Sequence, residues 1–379
     1  MLGNKSLNKL HALRGFCAFY VVVFHAKIIL WSGGSLFLEK FPRINWSLAD
    51  YIYFSADMLS SAGQEMVIIF FVLSGFFIRH AQLKRVRTAL QFYVNRLLRI
   101  YPPFLFSITL SGVVLAYVAA FHHEVMDPMS SRALNQSLEL AWQDMDLKKI
   151  GILRSIFFIR LDNSYFGYNE AYWSLLPEVI FYFLVPFIFA KIRSYYWISL
   201  ILYIAGLIMQ VSGLGIHPVI SYPLIYNCYF AVGVGFYDFV KSNEVYIEKI
   251  NNMNKILILL ITVIIFGLII VFAVLQEKIY SWPLAGVLAI WLMSILLSKN
   301  TSENNVLINV FSRIGIFSFS LYLYHYPILI IAYVYMVYFT NEIFVYDRYY
   351  WFVLPIVLFV CKMLYRITEK KAVEYFRKI

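Results

Sequence analysis

Residues 10–30 form one long apolar run, sufficient to cross a bilayer as a single helix. The run nevertheless contains Arg14 near its start and His25 towards its other end. An ionisable side chain inside a hydrocarbon span is costly, so such residues usually face the interior of a helix bundle and have a function there. Eleven residues of helix correspond to three turns and about 16 Å, so the two side chains are predicted to share roughly one face.

Nine further stretches of similar character follow, and together they predict an all-α membrane protein with about ten transmembrane helices in one bundle. The composition agrees, because 61% of the residues are apolar and only 14% are charged, too few to furnish the surface of an ordinary soluble domain. The predicted spans lie near residues 10–30, 62–80, 101–121, 171–190, 195–213, 219–240, 255–275, 281–298, 314–337 and 349–366.

Charge is distributed unevenly between the connecting segments. Residues 79–99 contain six Lys or Arg and no acid, whereas residues 122–150 contain five acidic residues. Because Lys and Arg gather on the cytoplasmic side of membrane proteins, both termini are predicted to be cytoplasmic and the acidic loops external. The net charge of +11 is better explained by this orientation than by binding to nucleic acid.

Two segments are predicted to lie outside the bilayer core. Residues 82–100 have the pattern of a basic amphipathic cytoplasmic helix that ends at residues 101–103, Tyr-Pro-Pro. Residues 122–170 are an expected external loop with a short interfacial or re-entrant helix. No repeat, flexible linker or soluble appendage is visible, so residues 1–379 are predicted to form a single domain.

Three arginines can be interpreted either as residues that orient the protein in the membrane or as residues with a function. Arg96 and Arg99 are three residues apart and share a helical face. They are either ordinary positive-inside residues or a two-guanidinium clamp for phosphate groups at the cytoplasmic mouth, since the Arg fork matches phosphate oxygens. Arg14 either extends to the inner headgroups or has a role within the bundle.

Three acid–base residues are candidates inside the spans. His25 is either a packing histidine or a proton-handling group, and its depth favours the latter. Glu178 is predicted at a similar depth, where it would pair with a buried partner or orient a catalytic imidazole. His325 precedes Tyr326 and Pro327, which indicates a kink whose freed backbone groups must be satisfied by neighbours.

Five blocks of the sequence resemble the acyltransferase 3 family of integral membrane acyltransferases, which contains bacterial O-antigen and exopolysaccharide O-acetyltransferases. They occur in the family's order and extend over nearly the whole chain. The blocks are LHALRGFCAFYVVVFH at 10–25, with its Arg-x10-His pattern, VIIFFVLSGFFI at 67–78, NRLLRIYPPF at 95–104, YWSLLPEVIFYF at 172–183 and SFSLYLYHYPI at 318–328.

The resemblance implies transfer of an acyl group, acetyl by family frequency, from cytoplasmic acyl-CoA to a hydroxyl of a cell-surface or lipid-linked saccharide. It also implies location in the bacterial inner membrane. Catalysis is then expected from His25 and Glu178, with Glu178 either orienting the imidazole or stabilising its charged form. Donor binding is expected from Arg14, Arg96 and Arg99, and saccharide contacts from Trp173, Ser174, Tyr322 and His325.

Other points stay open. His25 either removes a proton from the acceptor or carries the acyl group itself. No metal or permanently bound cofactor is expected, because the three cysteines lie in apolar runs without metal-site spacing. A homo-oligomer is compatible with the sequence. The alternative function, a transporter or flippase for lipid-linked oligosaccharide, would need the same spans and intramembrane charges.

Overall fold

The computed structural model describes residues 4–85, 88–145, 149–215, 218–298 and 305–377. It is 84% helical, and the residues that it describes contain no strand. The α-helices are α1 (Asn4–Leu30), α2 (Gly34–Lys40), α3 (Leu48–Leu59), α4 (Gly63–Lys84), α5 (Ala89–Phe121), α6 (Ala133–Asp144), α7 (Lys149–Ile156), α8 (Leu175–Ala190), α9 (Ile192–Val211), α10 (Pro218–Ser221), α11 (Asn227–Ser242), α12 (Glu244–Asn251), α13 (Lys255–Val274), α14 (Lys278–Leu297), α15 (Val306–Ile316), α16 (Ser318–Thr340), α17 (Tyr350–Ile367) and α18 (Glu369–Arg377).

Nine helical segments among the described residues are long and apolar enough to cross a membrane, which confirms the predicted all-α membrane class. The side of the membrane on which each terminus lies stays a prediction. The nine segments are Ser6–Leu30, Gly63–Lys84, Ala89–Phe121, Glu170–Ala190, Ile192–Val211, Lys255–Val274, Lys278–Leu297, Ser318–Thr340 and Tyr350–Ala372.

The remaining predicted span, residues 219–240, is an interrupted helix. A π-helical turn, Tyr222–Tyr226, separates the four residues of α10 from the 16 residues of α11. Pro223 lies in this turn and has no N–H to donate, and the backbone N–H of Asn227 reaches back to the carbonyl of Tyr222. The sequence pattern therefore located the apolar segment but not the change of helical type inside it.

The basic segment 82–100 differs from its prediction. It is divided between the end of α4 and the start of α5, and Arg87 lies outside the described residues. Nor does the helix end at the Tyr-Pro-Pro sequence, because α5 continues through Pro102 and Pro103. Prolines are tolerated inside membrane helices where neighbours satisfy the backbone groups that they free. The Tyr324 hydroxyl of α16 donates to the Pro103 carbonyl at 3.1 Å and so links the two helices at this point.

The segment 122–170 contains two helices, α6 and α7, where the sequence predicted one short helix. Residues 146–148, between them, lie outside the described residues. Leu134, Leu138 and Ala141 of α6 are buried together with Asn135, whose side-chain oxygen accepts a hydrogen bond from the Tyr333 hydroxyl at 2.6 Å. This amphipathic spacing marks α6 as a helix that packs against the protein by one side.

The chain divides into two compact units, each built from three chain segments. The first unit contains residues 1–20, 61–93 and 177–318, and the second contains residues 21–60, 94–176 and 319–379. The prediction of one domain is neither confirmed nor contradicted by this division.

Within the first unit, pairs of helices approach at their backbones. A Cβ atom on Gly75 of α4 would lie 2.1 Å from the carbonyl oxygen of Phe230, and one on Gly233 of α11 would lie 1.9 Å from that of Val72. Small residues at helix crossings allow this close approach in membrane proteins. Gly75 belongs to the block VIIFFVLSGFFI at 67–78, and the helix crossing explains why a glycine is needed at this position of the block.

Polar contacts also join the helices of the first unit. Arg79 of α4 donates two hydrogen bonds to Asp238 of α11, at 2.8 and 3.0 Å. The Tyr196 hydroxyl of α9 donates to the same carboxylate at 2.8 Å. Such a bidentate pair fixes the direction of both side chains as well as linking the helices.

In the second unit, α16 is the most enclosed of the apolar helices, and 72% of its most apolar stretch is buried. A helix that is apolar on all sides is expected in the interior of a bundle. His325 lies in the first half of this helix, and the surroundings of that residue form the candidate site.

Candidate functional site

The candidate site is centred on two histidines of the second unit. Nδ1 of His25, on α1, lies 2.8 Å from Nε2 of His325, on α16. The two rings are nearly parallel, with centroids 5.0 Å apart and an interplanar angle of 17°. His325 has no exposed surface, whereas His25 is only half-buried. Nδ1 of His25 is thus engaged in the pair, and participation of Nε2 in chemistry stays a prediction.

The turn of α16 that carries His325 is fixed by a proline. Pro327 has no N–H, so the carbonyl of Leu323, four residues earlier, loses its usual helical partner. Ser107 Oγ donates to that oxygen at 2.8 Å, and Asn169 Nδ2 donates to it at 3.0 Å. The prediction that neighbours satisfy the freed backbone at this kink is confirmed.

These two donors belong to a larger buried network. The Tyr172 hydroxyl lies 2.6 Å from Ser107 Oγ and 3.3 Å from Ser111 Oγ, and Asn169 also donates to Ser111 at 3.3 Å. Ser107, Ser111 and Asn169 are fully buried. A network whose members are all paired is rigid in a low-dielectric interior, so it holds α5 and residues 169–172 in a defined position against α16.

A left-handed turn brings a further hydroxyl towards the histidines. Gly167 and Tyr168 have φ values of 67° and 55°, a conformation that is uncommon for residues other than glycine. The Tyr168 ring lies 5.9 Å from that of Tyr326, whose own ring lies 5.2 Å from that of His25. Burial raises the pKa of the Tyr168 phenol, so it remains a hydrogen-bond donor at neutral pH. Backbone strain of this kind clusters at functional sites.

The predicted saccharide-contacting residues also lie in the second unit. The hydroxyls of Ser174 and Tyr322 are 2.6 Å apart, and the Tyr322 ring lies 6.1 Å from that of His325. Trp173, next to Ser174, is half-buried. The structure therefore brings Ser174 and Tyr322 together beside the histidine pair, and their contact with a substrate stays a prediction.

The three candidate arginines lie on two helices. Arg96 and Arg99 are half-buried on α5, in the second unit, and Arg96 Nη2 donates to Asn95 at 3.2 Å. Arg14 is half-buried on α1, eleven residues before His25 in the same uninterrupted helix. Binding of a donor phosphate by these residues stays a prediction.

Glu178 lies in the first unit, in the first turn of α8. Its carboxylate accepts a hydrogen bond from the Tyr182 hydroxyl, one turn further along the same helix. The described partner of His25 Nδ1 is His325, and the role predicted for Glu178 in orienting His25 stays a prediction.

Comparison with known proteins places this arrangement in a family. A family model described as an acyltransferase domain, acyltransferase 3, matches residues 7–370. The chain belongs to the acyltransferase 3 family. This confirms the resemblance carried by the five sequence blocks. No curated protein and no solved structure gives a match. With its nine apolar helical segments, this acyltransferase 3 family member is a membrane acyltransferase.

A second polar cluster of this acyltransferase surrounds Asp57, which is fully buried in α3. Arg348 Nε donates to its carboxylate at 2.8 Å, and the Tyr350 hydroxyl donates to the other carboxylate oxygen. Lys27 donates to the Asp57 backbone carbonyl at 2.7 Å. The Arg348 guanidinium also lies 4.5 Å from the centre of the Phe37 ring. Paired in this way, the cluster connects α1, α3 and the segment before α17.

Three residues of the candidate site were not predicted from the sequence, namely Ser107, Asn169 and Tyr168. Pro327 did indicate that donors were needed near Leu323, but it could not say which distant residues supply them. Gly167 was the available signal for Tyr168, because a glycine beside aromatic residues is typical of a tight turn. Within the described ranges, no group of three or more His, Cys, Asp or Glu side chains is arranged to hold a metal ion.

Proposed function

We propose that this membrane acyltransferase takes an acyl group, acetyl in the first instance, from cytoplasmic acyl-CoA. The acceptor is a hydroxyl of a cell-surface or lipid-linked saccharide, and the membrane is the bacterial inner membrane. The observation that carries the proposal is the half-buried His25 imidazole, held by His325 in the interior of an acyltransferase 3 chain. An intramembrane imidazole with one nitrogen left for chemistry is suited to a proton-transfer step.

Donor binding is supported by the course of α5. Arg96 and Arg99 lie in the first half of α5, and Ser107 lies further towards its C-terminal end. Eight residues separate Arg99 from Ser107, which corresponds to about 12 Å of helix. Ser107 in turn contacts the helix turn that carries His325. If the arginines bind a phosphate group of CoA, an extended pantetheine arm can cover the distance from that phosphate to the histidines. The thioester would then lie near His25.

The chemical step follows from the position of His25. Its Nε2 takes the proton of the acceptor hydroxyl while the hydroxyl oxygen attacks the thioester carbonyl carbon. The carbon–sulfur bond then breaks, and the proton passes from His25 to the departing thiolate, which leaves as free CoA thiol. In the other route Nε2 attacks the thioester carbonyl carbon, the carbon–sulfur bond breaks and CoA departs as its thiolate. The acceptor oxygen then attacks the carbonyl carbon of the acyl-histidine, the bond to Nε2 breaks, and the hydroxyl proton is taken up by the thiolate.

A saccharide acceptor is supported by the hydroxyl groups beside the histidine pair. Ser174 and Tyr322 each combine a donor with acceptor lone pairs, so they can exchange their mutual hydrogen bond for bonds to sugar hydroxyls. Glu178 and Arg14 remain candidates from the sequence, Glu178 for stabilising the charged form of His25 and Arg14 for binding the donor.

The deciding variant is His25→Ala. Loss of the base is expected to lower acyl transfer at least about 100-fold, because positioned general bases contribute 10²–10⁴-fold. The measurement is radiolabelled acyl transfer in membrane vesicles, together with mass spectrometry of the cell-surface saccharide. Membrane yield is expected to be retained, and stability in detergent is expected to fall by no more than about 1–3 kcal/mol, because Nε2 of the buried His325 loses its donor.

The matched control is His123→Ala, which removes an exposed histidine from the segment after α5. It is expected to retain full transfer. Wild-type-level acylation by His25→Ala would refute the catalytic assignment. Movement of saccharide across vesicles without an acylated product would instead favour the transporter.

A further inference from the structure

We infer that His325 is a positioning residue: it determines which nitrogen of His25 carries the proton, through a hydrogen-bond chain that begins at the carbonyl of Leu321. His325 therefore acts through His25 and does not itself touch the substrate. The proton arrangement depends only on the geometry of the second unit, whereas its catalytic consequence rests on the proposed function.

The chain has one consistent set of proton positions. A backbone carbonyl can only accept, so Nδ1 of His325, 2.9 Å from the Leu321 oxygen, must carry a hydrogen. In a neutral imidazole the other nitrogen is an acceptor, so Nε2 of His325 accepts from Nδ1 of His25 at 2.8 Å. Nδ1 of His25 therefore carries the hydrogen, and Nε2 of His25 holds the lone pair.

The burial of His325 supports its neutral state. Its ring has no exposed surface, and an unpaired charge in such a place is costly. A charged His325 would also have donors at both nitrogens, and Nε2 could then face His25 Nδ1 only if the latter gave up its hydrogen. The neutral form, with Nδ1 donating to Leu321, satisfies every nitrogen of the buried ring.

The same arrangement survives the proton transfer. When Nε2 of His25 takes a proton, Nδ1 still donates to His325, and Nδ1 of His325 still donates to Leu321. No bond of the chain has to be rearranged during the reaction. Groups that are already oriented before a charge develops are the most effective stabilisers of that charge.

The position of the His325 ring is itself determined by its surroundings. The turn of α16 is held at the Leu323 carbonyl by Ser107 and Asn169. The neighbouring Tyr322 is bonded to Ser174. These contacts come from α5 and from residues 169–174, so the helix cannot rotate about its axis without breaking them. His325 is thereby presented to His25 at a fixed angle, as preorganised sites require.

The test uses two substitutions of His325 in the full-length protein. His325→Leu has a similar volume and removes the acceptor for His25. His325→Gln offers an amide oxygen close to the former Nε2 and so keeps an acceptor. We expect kcat for acyl transfer to fall at least about 30-fold in His325→Leu and to be partly restored in His325→Gln, with the KM for acyl-CoA nearly unchanged.

The independent readout is the proton position itself. Nitrogen-15 NMR of ¹⁵N-histidine-labelled protein should show the wild-type His25 signal, identified by its loss in His25→Ala, with Nε2 unprotonated. In His325→Leu we expect the two tautomers to mix. A control, His122→Leu, removes another buried histidine of the second unit, one that pairs with Glu124. It should change neither the His25 signal nor the kcat.

A hydrogen on Nε2 of wild-type His25 would overturn the inference, and so would an unchanged kcat in His325→Leu. These outcomes are distinct from failure of the proposed function. A wild-type protein that transfers no acyl group would refute the function, while the NMR spectrum would still decide the proton arrangement.

Discussion

At the scale of single residues, the site depends on a backbone group that a proline leaves without its helical partner. The carbonyl of Leu323 is satisfied by Ser107 and Asn169, which lie 216 and 154 residues away in the sequence. A buried carbonyl without any partner would cost about 1–3 kcal/mol. The alignment of His325, and through it of His25, is thus connected to residues of α5 and of the segment before α8.

Replacement of Asn169 tests this connection. Asn169→Ala removes one of the two donors and is expected to destabilise the protein by about 1 kcal/mol. The double variant with Ser107→Ala leaves the carbonyl with neither donor and is expected to cost more than the sum of the single changes. Thermal unfolding in detergent is the measurement.

Asn163→Ala is the matched control, because Asn163 lies in the same segment and is exposed. It should change stability by less than about 0.5 kcal/mol. Equal effects of Asn163→Ala and Asn169→Ala would contradict the assigned role of the buried amide.

The sequence revealed His25 but not its partner. A histidine within an apolar run can be recognised as a candidate functional residue from the neighbouring sequence alone. The ring that pairs with it lies 300 residues later, and pairing at that distance depends on the packing of helices, which no local pattern encodes. Glu178 was predicted as a partner of His25 from its depth in the membrane alone, and that role stays a prediction.

At the scale of elements, α4 and α11 of the first unit cross each other at two glycines. Gly75 and Gly233 are reciprocal, since each faces a backbone carbonyl of the opposite helix. Neither has space for a methyl group, and the obstructing atoms belong to the backbone. Gly267 of α13, by contrast, has no heavy atom within 4 Å of the place that a methyl group would occupy.

The crowded surroundings of Gly75 and the open surroundings of Gly267 predict different effects of a glycine-to-alanine substitution on stability. Gly75→Ala is expected to push α4 away from α11 and to destabilise the protein by about 1–3 kcal/mol or more. Gly267→Ala is expected to be neutral or slightly stabilising, because alanine is the better helix former. Folded yield after detergent extraction and thermal unfolding measure both effects. A tolerated Gly75→Ala would show that the two helices can separate without loss.

Helix positions could be read from the sequence more reliably than helix ends. Length and apolar character identified every segment that the structure shows as a regular span. The helix end predicted at residues 101–103 was wrong, because Pro103 lies within a continuous α-helix, and the π-helical turn that contains Pro223 was not predicted. The effect of a proline depends on whether neighbouring groups satisfy the backbone that it frees, and those neighbours are distant in sequence.

At the scale of the whole molecule, the orientation in the membrane follows from charge alone. The segment after α5 is acidic and the segment between α8 and α9 is basic, so they are predicted on opposite sides. The family match and the charge asymmetry could be read from the sequence. The division into two units could not, because each unit is assembled from three separated segments.

Cysteine accessibility tests the orientation. Met129→Cys places a thiol at an exposed position in the segment predicted to be external, and Lys191→Cys places one at an exposed position on the predicted cytoplasmic side. Cys228, which is half-buried, is replaced in both. A membrane-impermeant maleimide added to intact cells should label the first variant and not the second. The reverse pattern would invert the predicted orientation.

The reciprocal glycine crossing has a consequence for recombination between related proteins. A chimera that takes α4 from one parent and α11 from another joins two surfaces fitted to each other at the level of backbone atoms, where no side chain can adjust. Gene-shuffling experiments that seek new acceptor preferences should therefore exchange these two helices together, with crossover points placed outside the pair.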